Sequence, residues 1–91
     1  MQVDKEKLQI YKQAVGEVLK ELRQTDAGVS LSKRANEYEI DKGSLSKLER
    51  GIYDCRLSTA WILCEANNVK FSEFGRRLEE KLGPDFKFMD E

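Results

Sequence analysis

Residues 29–51, VSLSKRANEYEIDKGSLSKLERG, decide how this chain is read. The spacing predicts two short helices joined by a tight turn. Ser30 is placed to cap the first, with Ala35 and Tyr38 facing inward. Ile40 plugs the turn, and Asp41 is an N-cap for a second helix from Lys42 to Arg50. Leu45 and Leu48, three residues apart, give that helix its buried stripe. Gly51 stands where a left-handed C-terminal cap is wanted. On the other face Gly43, Ser46, Lys47 and Arg50 fall in line, with Lys42 in the exposed first turn. A short helix with an apolar back and a small, polar, basic front suits a DNA major groove.

In these residues the chain resembles the lambda-repressor-like (Cro/repressor-type, xenobiotic-response-element) helix-turn-helix family. Ala35, Ile40, Asp41, Leu45, Leu48, Glu49 and Gly51 fall at the family's spacings without a gap. The likeness runs on to Phe74 and, with one inserted residue, back to Gly16, about two thirds of the chain. The fold it implies is all-α with five helices, an extended first helix and a short C-terminal tail. Residues 1–91 are read as one domain with a core of about 16–74, a helix-turn-helix at 30–50, an N-terminal helical extension at 4–15 and a C-terminal helix and tail at 72–91.

Composition agrees with a small helical protein. The 91 residues are 40% hydrophobic and 36% charged, with a single Pro. That leaves room for one core. Neither a membrane-spanning run nor a secretory signal is evident, so the expectation is a cytoplasmic protein, bacterial or phage-encoded. Two cysteines without any His give no zinc ligand set and no usual general base. An enzyme is not expected, nor a cofactor, a metal or a small-molecule ligand. The net charge is −1, unusual for a DNA reader. Residues 30–57 carry six basic against five acidic side chains, while the stretch from Ser72 carries four against six. Charge is thus permissive at the motif and no more.

Around the motif, Asp4 caps a long helix reaching about Thr25, with Leu8, Tyr11, Val15, Val18 and Leu22 as its stripe. Its first three turns exceed the family pattern, either as padding against the C-terminal segment or as a dimerisation arm. Arg23 and Glu49 match a family ion pair, and an inward carboxylate needs such a partner. The start of the first motif helix is open between Ser30 and Ser32. Arg34 stands at a family Leu position, and either lays its stem along the core edge or marks the later start. Glu39 replaces the family's turn Gly at a cost of about 1 kcal/mol if left-handed. A further helix spans about Ser58 to Asn67, with Ala60, Trp61, Leu63 and Cys64 facing in. Asn67 takes a family Leu position, and Asn68 the following turn Gly. A last helix, capped by Ser72, runs to Leu82 with Phe74, Leu78 and Leu82 as its stripe. Phe86 and Phe88 then belong to a frayed tail, a tail packed on the first helix, or a strand pairing between subunits.

The resemblance implies a sequence-specific reader of double-stranded DNA, a transcriptional regulator and most simply a repressor. Lys42, Gly43, Ser44, Ser46 and Lys47 match base- and phosphate-reading positions, with Arg50 on the same face. Ser30, Ser32 and Lys33 are placed for a phosphate at a helix start, and Arg56 for the backbone from the following loop. Two half-sites imply a homodimer, formed by the N-terminal helix and the C-terminal segment. The rival reading is a protein-interaction module, antitoxin-like or a regulatory subunit, that keeps the fold without strong DNA binding.

Overall fold

Asp4 starts the longest described helix by turning its Oδ1 onto the backbone N–H groups of Glu6 (2.8 Å) and Lys7 (3.3 Å). The structure, a computed structural model, describes residues 4–24, Lys33, Asn36 and residues 39–89. Among these are four helices and no strand: α1 (Lys5–Gln24), α2 (Lys42–Glu49), α3 (Leu57–Ala66) and α4 (Phe71–Leu82). The all-α expectation holds. The helix expected from Ser30, with Ala35, Tyr38, Arg34 and the choice between Ser30 and Ser32, lies outside the described residues. Of that stretch Lys33 and Asn36 are helical and exposed. Four helices, not five, are therefore established.

Of the predicted stripe of α1, Val15, Val18 and Leu22 are buried and Leu8 and Tyr11 half-buried, and Ala14, Gly16 and Leu19 complete the buried face. Val15, Val18, Leu19 and Leu22 join Leu45 and Leu48 of α2, Ala60, Leu63 and Cys64 of α3, and Phe74 of α4 in one core. Helix α1 is the axis of this arrangement, packing against each of the other three. Near its start Tyr11 meets Phe88 of the tail at 5.2 Å between ring centroids, and Phe88 meets Phe86 at 5.2 Å. The tail therefore folds back on α1, one of the three alternatives open from sequence. Lys81 of α4 ties the same two helices through Glu17 (3.4 Å) and Glu21 (2.5 Å).

Helix ends follow the expected chemistry in some places and depart in others. Asn68 takes φ +57° after α3, where Val69 N–H returns to Cys64 O at 2.9 Å and Asn68 N–H to Glu65 O at 3.0 Å. This is a Schellman closure with Asn in the glycine position. Glu39 is left-handed too, at φ +54°. Helix α4 starts earlier than expected: Lys70 is the cap residue, without a side-chain bond, and Ser72 lies inside the first turn. Helix α3 likewise begins at Leu57 behind Arg56. The largest correction is Trp61. It is 54% exposed, not core. Its ring stacks on Phe71 at 5.3 Å, and its Nε1–H donates to Glu65 Oε1 at 2.9 Å, so both apolar body and polar tip are served at the surface.

Candidate nucleic-acid interface

Helix α2 is short, so its ends decide whether it forms. At the N-terminus Asp41 Oδ2 accepts from Ser44 N–H at 2.9 Å and from the Ser44 hydroxyl at 3.3 Å. The hydroxyl proton of Ser44 is thereby committed to the cap. A Cβ at Gly43 would lie 3.0 Å from the same Oδ2. Gly43 is thus the residue that leaves the cap uncrowded. At the C-terminus Gly51, at φ +76°, closes a Schellman motif: its N–H meets Leu48 O at 3.1 Å, and Ile52 N–H meets Lys47 O at 2.9 Å.

Its inner side is fixed to α1 by backbone proximity as well as by side chains. Leu45 and Leu48 are 1% and 8% exposed in the core. A Cβ on Gly16 of α1 would fall 2.5 Å from the carbonyl oxygens of Leu48 and Glu49, so the two helices touch at main-chain distance. Two turns back, Gln9 Nε2 donates to Gly51 O at 3.1 Å. A Cβ at Gly51 would come within 2.8 Å of the Gln13 backbone. Farther along α1, Arg23 meets Glu49 through two parallel bonds, Nε to Oε2 at 2.8 Å and Nη2 to Oε1 at 2.9 Å. These bonds raise the Arg23 pKa above its ordinary value, against an opposing effect of burial.

Facing outward, Lys42, Gly43 and Arg50 are exposed, and Ser46 and Lys47 half-buried. Arg56 is exposed in the loop leading to α3. Ser30 and Ser32 lie outside the described residues, and Lys33 is helical and exposed. Two further residues belong to this surface and escape the sequence argument. Ile52 and Tyr53 are 47% and 44% exposed just beyond Gly51. The Lys47 ammonium donates to the Tyr53 hydroxyl at 3.2 Å and sits 5.2 Å from the centre of its ring. The signal that could have found Tyr53 is its position two residues after a left-handed glycine, where the closing turn doubles the chain back toward Lys47.

Behind this loop Cys55 is packed against the core, and burial together with Asp54 pushes its thiol up to about 11. Burial raises Cys64 as well. Neither cysteine presents a thiolate at neutral pH. What the surface offers is a row of hydrogen-bond donors and positive charge on a helix whose pose is set from behind. A scan against protein-family models finds no match to this chain, and a search of curated proteins finds none either.

Proposed function

We propose that this protein is a sequence-specific double-stranded DNA-binding regulator, acting as a repressor on cytosolic DNA, with α2 laid in the major groove. The observation that carries the proposal is the two-sidedness of α2. Leu45 and Leu48 hold its back in the core, while Lys42, Gly43, Ser46, Lys47 and Arg50 form an outward face free of large apolar groups. Docking through Gly16 and the Arg23–Glu49 pair supports it, because base reading needs a helix whose orientation is fixed before DNA arrives. On this reading the fold is lambda-repressor-like, with its fifth helix between α1 and α2. Ser30, Ser32, Lys33 and Arg56 contact phosphates, and Ser46 and Lys47 reach base edges. Ser44 acts through the cap, and Gly43 through close backbone approach.

Two half-sites read by a symmetric dimer supply the affinity that one small domain lacks. The proposed interface uses the N-terminal helix and the C-terminal tail, where Ile10 and Met89 remain 51% and 49% exposed. The competing reading is a protein-interaction module. It is favoured by the net charge of −1 and by Leu57, Trp61 and Ile62, exposed on α3 at 73%, 54% and 45%. Anisotropy titrations of the intact protein against random-sequence duplex, over a range of salt, separate the two. The proposal expects binding at low ionic strength that weakens by about 0.9 log units per phosphate contact per log unit of salt. Selection of bound sequences should then return a two-fold symmetric site. Absence of salt-dependent binding rejects the DNA reading in favour of the interaction module.

A further inference from the structure

We propose that Tyr53 is a positioning residue for Lys47 and, through it, determines which base α2 prefers. The inference rests on the DNA-binding reading above and goes one residue further, into a side chain outside the recognition helix. Its geometry begins in the backbone. Gly51 at φ +76° reverses the chain, Ile52 N–H bonds Lys47 O at 2.9 Å, and Tyr53 N–H approaches the same carbonyl at 3.4 Å. The turn that ends α2 thus places Tyr53 beside the residue whose carbonyl it caps. The phenol oxygen then accepts a hydrogen bond from Lys47 Nζ at 3.2 Å, and the ring lies 5.2 Å from the ammonium.

A lysine that reads a base must order its long, flexible stem, a cost ordinarily met on binding. Here that ordering is imposed on folding instead. An ammonium carries three N–H donors, and one is taken by Tyr53. Two remain, which is the number of acceptors, O6 and N7, that guanine turns to the major groove. The substrate preference that follows is a G·C pair opposite Lys47 in each half-site. Tyr53 is 44% exposed, so its removal leaves the core untouched.

The test uses the full chain and four variants: Tyr53→Phe, Tyr53→Ala, Lys47→Ala and the double variant Lys47→Ala with Tyr53→Phe. Each is titrated by anisotropy against the selected duplex, its single-base substitutions and random duplex, after a circular dichroism melt has checked folding. Tyr53→Ala should lower the ratio of selected to random affinity by on the order of tenfold, concentrated at one base pair per half-site. Tyr53→Phe, keeping the ring, should lower it less. Both should keep the salt slope, because no charge is lost. In the Lys47→Ala background the Phe substitution should change nothing further. Unchanged discrimination in both Tyr53 variants overturns the inference, as does an equal loss on selected and random DNA or an effect that persists without Lys47. All three outcomes leave the DNA reading standing. If the intact chain binds no duplex in a salt-dependent manner, that reading fails first and takes the inference with it.

Discussion

Arg23 and Glu49 face each other with 14% and 7% of their side chains exposed, so neither charge has enough water to stand alone. Removing Glu49 takes two bonds from a guanidinium that burial has largely stripped of water. Glu49→Ala should cost about 3–5 kcal/mol in urea unfolding; a loss below about 0.5 kcal/mol, the scale of a surface site, would contradict this. Asn67 is the converse case. Its Nδ2 donates to Leu63 O at 2.7 Å, but its buried Oδ1 has no hydrogen-bond partner among the described residues. Asn67→Leu should stabilise by about 1 kcal/mol by removing that orphan; destabilisation would show that the amide's one bond outweighs it. Residues whose roles are local were legible in the sequence. Asp41, Gly51 and Asn68 act on backbone groups a few positions away, and spacing alone reveals them. Trp61 was not legible, because its place depends on the stack with Phe71, a partner that only the packing of α3 against α4 supplies, while Glu65, four residues on in α3, satisfies the indole N–H.

Among the elements, α1 does most to set the pose of α2, and Gly16 is where they meet. An added methyl there collides with two carbonyl oxygens at 2.5 Å, and no rotamer change can move a backbone atom. Gly16→Ala should therefore cost about 3 kcal/mol, the upper end for overpacking. At about 4–8 °C per kcal/mol for a domain of this size, the melting temperature should fall by more than 10 °C. A melt within a few degrees of the parent would mean that the helices are not in contact there. Helix α4 carries its own electrostatic ladder. Arg76 and Arg77 bond Glu73, and Arg76 also bonds Glu80. Those guanidiniums hold the Glu73 carboxyl down at about 2, from an ordinary 4.5. A depressed folded pKa gives stability that is present above pH 4.5 and lost as the pH falls toward 2. Glu73→Gln should accordingly melt below the parent at pH 7 and converge with it near pH 2; a difference unchanged across that window would remove the carboxylate from the account. The periodicity of α1 and α4 was readable because long amphipathic stripes repeat. The starts of α3 and α4 were not, since Arg56 and Lys70 precede them without a side-chain cap to mark the boundary.

At the scale of the molecule, the extended first helix has a use inside the chain. Phe74 is core, Leu78 packs against it, and Tyr11 and Phe88 cover each other. Apolar surface of the N- and C-terminal segments is therefore partly consumed by the fold, and a dimer made there must use what is left around Ile10 and Met89. Sedimentation at high micromolar concentration should still find a dimer, and a monomer would contradict the proposed assembly. No described helix is long and apolar enough to cross a membrane. With so little net charge, the proposed DNA binding rests on charge distribution, on the cations along α2 and its flanking loop. The most direct measurement compares Lys47→Ala and Arg56→Ala against the parent on a library of duplexes at two salt concentrations. If α2 reads bases, Lys47→Ala should change the preferred base at one position per half-site, by about 1–3 kcal/mol. Arg56→Ala should weaken every duplex alike and flatten the salt slope by about 0.9. Two variants that weaken all sequences equally, or leave all unchanged, would contradict the assignment of α2 as the recognition helix.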